Sequence, residues 1–385
     1  MNNAVIYLDN NATTPLDVEV YEGILPILSG NYGNPSSLYE LGFRAKEMLY
    51  CARSSVARLL NAKENQIVFT SGATEANNSA IQGTCLREKE KKHIITSSIE
   101  HPSVTEPLEF LKEHYNYEVS YLPVTKGGIA RVDLVKELIR DDTVLVSVMM
   151  VNNEVGTIQP VHEIGEICKE HQIHFHCDAV QGIGKLNIDL EDLNVDTISI
   201  SAHKIYGPKG VGCLYIRNPN KHFPLIYGGS QEKGLRAGTE NVAGIVGLGI
   251  AANTAFKNRE KNMNKINELR DVFLKTLSLS LSDWNINGEN TLPSTLSLYF
   301  KGVRGEALAF ALSKSGVFVS VASACSSSSS KSSHVLTAMG MQDEKIRNTI
   351  RLSIGKQNTR KEMEKAAKII GENVKKLRLL STNVV

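Results

Sequence analysis

The chain has 385 residues, with 43 lysines and arginines against 41 aspartates and glutamates, a formal net charge of +2. That balance gives no reason to expect nucleic acid as an obligatory partner, and no apolar run approaches the length of a membrane span. Six cysteines (Cys51, Cys85, Cys168, Cys177, Cys213 and Cys325) are scattered without CxxC spacing, which speaks against a zinc site or disulfide framework and for a reducing cytoplasm.

The stretch Met1 to Asp9 holds no basic region followed by an apolar core of signal-peptide length. Helical patterning then runs from Leu38 to Leu60, followed by a strand-like run, Gln66 to Thr70. Further strand-like runs cover His93 to Thr96, Val119 to Leu122, Val144 to Met150, His174 to Cys177 and Thr197 to Ile200. Helical stretches at Val104 to His114 and Val161 to His171 separate them. Strands alternating with helices of this length predict right-handed crossovers and a mostly parallel sheet covered on both faces. Ligands of such sheets bind at the carboxyl ends of the strands. From about Ala251 to Leu279 a long polar helix is expected, and shorter mixed elements follow at Ser294 to Phe300, Gly316 to Val321 and Ile350 to Ile354. We therefore expect a large domain over residues 15–255 and a smaller one built from 1–14 and 256–385.

Chemistry-bearing residues fall repeatedly just after the strand-like runs. Asp178 ends one such run, and 26 residues later Lys204 follows the end of another. A carboxylate and an amine at the ends of neighbouring strands are what a pyridoxal-phosphate site requires. Alone, the pair would be read more simply as a surface lysine and a turn aspartate; the surrounding residues overturn that reading. Thr70 to Asn78 follows a strand and opens a helix, so its small residues, its helix amides and the Thr74 hydroxyl suit a phosphate, although serine and threonine cap ordinary helices too. Ser201 and His203 sit where they could reach the same anion. His101 follows the strand at His93 and could stack on a cofactor ring, while Asn153 lies in a run, Val151 to Pro160, that ordinary turn chemistry would also explain.

Taken together and in order, these motifs resemble a known family. The chain is similar to the cysteine desulfurases of the NifS/IscS-like group, class-V aminotransferases of the fold-type I pyridoxal-phosphate enzymes. The resemblance runs through Tyr7 to Thr14, Gly33 to Ser37, Ser71 to Asn78, Glu100-His101, Asn152 to Pro160, Asp178 to Gln181 and Ser201 to Gly210. It continues through Leu235 to Asn241, Ser323 to Ser326 and Arg351 to Gly355. It implies an α/β fold: a large domain with a mainly parallel, seven-stranded type of sheet covered by helices, plus a smaller α+β domain.

The resemblance also implies roles. Lys204 would carry pyridoxal 5'-phosphate, Asp178 would meet its pyridine nitrogen, Gln181 its ring hydroxyl, and His101 would stack on the ring. Ala73, Thr74, Ser201 and His203 would hold the phosphate, with Thr239 reaching the phosphate of a second subunit in a homodimer. Arg351 and Asn153, with Asn34, would orient the carboxylate of L-cysteine, and Asn153 would contact the cofactor as well. Cys325 would be the nucleophile that takes the substrate sulfur as a persulfide, leaving L-alanine, and passes it to an acceptor protein for iron–sulfur assembly, tRNA thiolation or another sulfur modification. Cys325 precedes five serines, Ser326 to Ser330, so the segment is expected to be exposed and mobile. Two departures from the family stand out: the usual Leu-Glu-Pro of that loop is replaced by serines and Lys331, and Lys375 to Val385 is short of the tail that helps related enzymes dock a scaffold. Rival readings are an aminotransferase or a selenocysteine lyase on the same fold, or a catalytically quiet binding protein.

Overall fold

The computed structural model describes residues 5–88, 90–321 and 332–382. In chain order the first half comprises β1 (Ile6–Tyr7), α1 (Val18–Ser29), α2 (Glu40–Leu60), β2 (Ile67–Thr70), α3 (Ala73–Cys85), β3 (His93–Ser97), α4 (Pro102–Tyr115) and β4 (Glu118–Leu122). Then come α5 (Val135–Leu138), β5 (Thr143–Ser147), α6 (Val161–Glu170), β6 (His174–Asp178), β7 (Thr197–Ser201), β8 (Gly212–Ile216) and α7 (Val242–Ser280). The remainder is β9 (Trp284–Asn287), β10 (Thr295–Phe300), α8 (Gly305–Lys314), β11 (Val317–Phe318), β12 (Ser320–Val321), α9 (His334–Ala338), α10 (Asp343–Arg347), β13 (Thr349–Ser353) and α11 (Arg360–Thr382).

Seven strands form the main sheet in the order β2-β8-β7-β6-β5-β3-β4. It is parallel except for β8, which runs against both β2 and β7. Strands β2, β3, β5, β7 and β8 are buried along their whole length, the mark of a sheet covered on both faces. Side-chain alternation divides the two layers. Ile94 and Leu145 pack with Leu108 of α4 and Ile81 of α3, while Ile95, Val146, Phe175 and Ile198 join the core beneath α2, α6 and the start of α7. This is the sheet the residue pattern predicts. One difference is that β5 ends at Ser147, although Val148 and Met150 still donate their backbone N–H groups to the His176 and Asp178 carbonyls of β6 at 3.1 and 2.9 Å.

A second sheet, β12-β13-β10-β9, is antiparallel throughout, and β1 pairs in parallel with β11 beside it. It builds its own core from Leu296, Leu298, Phe300, Ile350 and Leu352 with α8, α11 and the second half of α7. Helix α7 is thus shared. Its 39 residues run unbroken through position 255, placing Leu248 and Ala252 in one core and Phe273 and Leu277 in the other. It begins nine residues earlier than its polar stretch suggests, capped by the Asn241 side chain, which accepts from the Gly244 amide at 3.0 Å.

Glycine makes that early start possible. A Cβ on Gly249 would lie 2.5 Å from the Ala52 Cα of α2, so the two helices touch backbone to backbone. In an open helix Gly→Ala is stabilising by about 0.5–1 kcal/mol. Here the sign reverses: Gly249→Ala is expected to destabilise by about 1–3 kcal/mol through overpacking, read as a fall in the midpoint of thermal or urea unfolding.

Candidate active site

A cavity of about 690 Å³ opens over the carboxyl ends of the main-sheet strands. Its floor is set by Gly72 at the start of α3, whose N-terminus has no side-chain cap. A Cβ on Gly72 would meet nothing within 4 Å, while one on Gly212 would lie 2.8 Å from the Gly72 Cα. The bare backbone of β8 therefore supports the turn from below, and the space above it is open toward Ala73 and Thr74. Uncapped helix amides facing open space are an anion site. Ser201, His203 and Lys204 line the same cavity from the end of β7 and the short turn after it.

The Lys204 ammonium donates to the Asn11 carbonyl and, at 2.8 Å, to that of Ala12. The Asn11 carbonyl also accepts from Gln181 Nε2 at 3.0 Å, and Gln181 Oε1 accepts from Lys185 at 3.0 Å. Burial, then the charges of Lys204 and Arg351, pull the Lys185 ammonium down to about 7. Burial beside Lys204 and Lys209 likewise pushes the His203 imidazole down to about 4, and its Nδ1 lies 3.1 Å from the Thr13 hydroxyl. At neutral pH the His203 ring is therefore uncharged, and Lys185 stands close to its midpoint.

Asp178, at the end of β6, accepts from Asn77 Nδ2 at 2.9 Å and from the Val180 amide at 3.0 Å. His101 is the N-cap of α4: its Nδ1 accepts from the Ser103 amide at 3.1 Å, which leaves the proton of the neutral ring on Nε2. Burial, reinforced by Lys204 and His334 and opposed by Asp178, holds this imidazole below its ordinary value. Arg351 reaches in from β13. It donates to Asp9 at 2.8 Å and to the Asn153 carbonyl at 3.0 Å, while its buried Nε has no hydrogen-bond partner among the described residues. A buried guanidinium with a donor to spare fits a carboxylate ligand.

Lys204, Asp178, Gln181, His101, Asn153 and Arg351 thus share one cavity with Ala73, Thr74, Ser201 and His203. Thr239 lies outside it, in a neighbouring recess of about 200 Å³ with Ser71 and Gly210. Asn34 is also outside, on the exposed connection before α2, where its side chain accepts locally from the Ser36 amide. Cys325 lies outside the described residues. The chain on either side is tied to the site: Ser320 donates to Asp9 at 2.9 Å, and Ser333 donates to Glu154 at 2.5 Å. Pattern reading missed Asp9, Asn11, Asn77 and Lys185. Only the polar character of the Tyr7 to Thr14 and Ser71 to Asn78 motifs signalled the first three, whose partners lie far away in sequence, and no motif covered Lys185.

Glu100 marks the back of the site. It is fully buried, accepting from Ser97 at 2.5 Å and the Met149 amide at 2.8 Å, with Oε2 unpartnered among the described residues. Burial raises its carboxyl to about 8. The folded state therefore binds a proton that the unfolded state has lost, so this group's contribution to stability falls as pH rises from about 4.5 to 8. Glu100→Gln, which mimics the protonated carboxyl, is expected to gain in melting temperature relative to the parent as pH is raised across that window. A constant difference from pH 5 to 8.5 would count against the buried acid.

Comparison with known proteins agrees with this geometry. The aminotransferase class-V family model matches residues 6–365. "Cysteine desulfurase IscS" of Methanosarcina thermophila is 47% identical over 98% of this chain and 94% of its own length. The same-named protein of Dictyoglomus turgidum is 45% identical, covering 98% and 96%. A solved NifS-like protein superposes with a TM-score of 0.90 at 39% identity, covering 98% of this chain and all of that one. A structure described as SspA in complex with cysteine gives 0.81 at 37% identity, covering 92% and 100%. The chain therefore belongs to the class-V aminotransferase family, within its cysteine desulfurases.

Proposed function

We propose that the chain binds pyridoxal 5'-phosphate on Lys204 and converts L-cysteine to L-alanine, with the sulfur taken up as a persulfide on Cys325. The observation that carries this reading is the convergence of Lys204, Asp178 and the uncapped N-terminus of α3 on one cavity that Arg351 closes from the second sheet. When bound, the cofactor supplies a protonated ring that takes up the electron pair released from the substrate Cα. The amides of Ala73 and Thr74, with Ser201 and His203, hold its phosphate. Asp178 would accept from the pyridine N–H, and Gln181 Nε2, which donates to the Asn11 carbonyl, would serve the ring hydroxyl.

Arg351 orients the substrate carboxylate through its Nε and the Nη2 it now shares with Asp9. Lys204 Nζ would be the base that takes the Cα proton. The thiolate of Cys325 attacks the substrate sulfur: the new S–S bond forms as the Cβ–S bond breaks, and the carbon left behind is reprotonated to alanine. His101, neutral and with its proton on Nε2, is placed to move protons at that stage. In the sequence only three residues lie between Val321, the end of β12, and Cys325, a chain span of at most about 14 Å. A protein acceptor takes the sulfur onward in the cytoplasm, and Thr239 of each chain completes the phosphate site of a second copy in a homodimer.

Two tests follow. Borohydride treatment of the yellow protein is expected to fix the cofactor on the peptide containing Lys204, and mass spectrometry that maps the label to another lysine would refute the site. Cys325→Ala is expected to retain cofactor and cysteine binding but to lose sulfide and alanine production by about two orders of magnitude or more. The parent should gain the mass of one sulfur on the Cys325 peptide after cysteine is added. The other thiols are poor substitutes: Cys85, Cys168, Cys177 and Cys213 are buried. Burial pushes the thiols of Cys168 and Cys213 up to about 12, and Cys51 is exposed on α2, outside the cavity. Wild-type sulfide release by the variant would overturn the mechanism.

A further inference from the structure

Alternation along β6 puts His174, His176 and Asp178 on one face, while Phe175 and Cys177 enter the core on the other. Three residues in line on one buried face, two of them histidines, call for an account of their protons. The bonds supply one, because each fixes the next.

Asn77 Nδ2 donates one hydrogen to Asp178 Oδ2 at 2.9 Å and the other to Ser103 Oγ at 2.8 Å. Both amide hydrogens being committed, Asn77 Oδ1 accepts, and the atom 3.0 Å from it is His176 Nε2. His176 therefore carries its proton on Nε2, and its Nδ1 accepts from the Thr197 hydroxyl at 3.0 Å. The Thr197 oxygen, its hydrogen spent, accepts from His174 Nε2 at 3.1 Å. That nitrogen is also 3.3 Å from the Thr84 hydroxyl. Every donor in the series points toward Asp178. Asn77, His176 and Thr197 have no exposed surface, so the bonds are made in a low dielectric where each polarises the next. The series ends at His174, which lines a separate cavity of about 340 Å³ with His222, Arg87, Arg217 and Lys221.

We propose that Asn77 and His176 are positioning residues for the reaction, forming with Thr197 and His174 a one-way chain of donors that turns the Asp178 carboxylate toward the ring nitrogen. The inference rests on the cofactor reading of Asp178 given above. A network that merely satisfied buried polar groups would work equally well in either direction. Here direction matters, because reversing any link would present Asp178 with the Asn77 carbonyl, and two acceptors would face each other. The groups around His176 keep the ring neutral. Burial, with His174 on the same strand and His222 across from it, pushes it down to about 3. His222 is itself held near 4 by burial and by His174. At the far end, burial lowers His174, with Asp196 opposing and Arg87 reinforcing.

The experiment is nitrogen-15 NMR of histidine-labelled protein, with and without cofactor, joined to kinetics of two His176 variants. His176 is expected to show the neutral Nε2–H tautomer from pH 5.5 to 8.5 in both forms. An Nδ1–H tautomer, or protonation in that range, overturns the proposal without any variant having to fold. His176→Phe keeps the bulk and removes both ring bonds. It should lower kcat for cysteine by about 10- to 100-fold, leave KM within about twofold, and shift the pH dependence of the bound cofactor's absorbance. His176→Gln, whose amide nitrogen falls where Nε2 was, should recover most of the loss. A His176→Phe enzyme with unchanged kcat and absorbance overturns the chain. Asp178→Asn separates the two readings: if it impairs turnover while His176→Phe does not, only the positioning chain fails, and if it turns over normally, the cofactor reading fails and takes the chain with it.

Discussion

The site depends on one short run of chain, residues 6–17, lying across the seam between the two sheets. Ile6 and Tyr7 pair with β11, and Asp9 bridges to Ser353 beside β13. Two residues on, the Asn11 carbonyl takes hydrogen bonds from both Lys204 and Gln181, while its side-chain Nδ2 donates to the Thr295 hydroxyl at 2.9 Å and to the Asn153 carbonyl at 3.2 Å. Thr14 then donates to the His203 carbonyl at 2.9 Å, and Asp17 pairs with Lys356. A segment with so few side chains in a core is held by hydrogen bonds, and it fixes the amine of one sheet against the guanidinium of the other. The Asp9–Arg351 pair is nearly dry, with exposures of 18% and 7%. Truncating one partner there would strand the other charge, which costs far more than the pair itself contributes.

Charge in the cavity is lopsided. Lys204, Lys209 and Arg351 line it, with Lys185 just behind, and α3 adds the positive end of its dipole. Against them stand Asp178 and Glu75, and Glu75 is already engaged with Arg236 at 2.9 Å. The surplus adds to burial in the neighbours: burial first, and these charges second, lower both His203 and Lys185 from their ordinary values. Such a field suits ligands with a phosphate at one end and a carboxylate at the other.

Much of this was legible before any coordinates, for a physical reason. Short strand-like runs bounded by small and polar residues are visible in the sequence, so the residues at or just after their ends stand out: Asp178 and Ser201 close two of them, and His101 and Thr74 lie four residues beyond two others. Partners across long sequence separations do not. Nothing local ties Asp9 to Arg351 or Asn77 to Asp178, because both contacts are made by the packing of whole elements. The start of α7 was hidden for another reason. Gly244, Gly247 and Gly249 each disfavour a helix on propensity alone, and only contact with Pro208 and Ala52 shows why glycine is required. Asn153 was visible as a candidate, yet its carbonyl rather than its side chain meets Arg351, since the turn that presents it is organised by Asn152, whose Oδ1 accepts from the amides of Glu154 and Val155.

Helix α7 has a mechanical meaning as well. At 39 residues it is a rod about 58 Å long, built into both cores along its length. Hinged enzymes concentrate motion in a few loose residues, whereas here any jaw-like opening of the two sheets would have to bend this rod and break close-packed contacts at either end. The spacing between Lys204 and Arg351 is accordingly set by how this one rod joins the two cores, so it is a property of the packing along α7 more than of any loop.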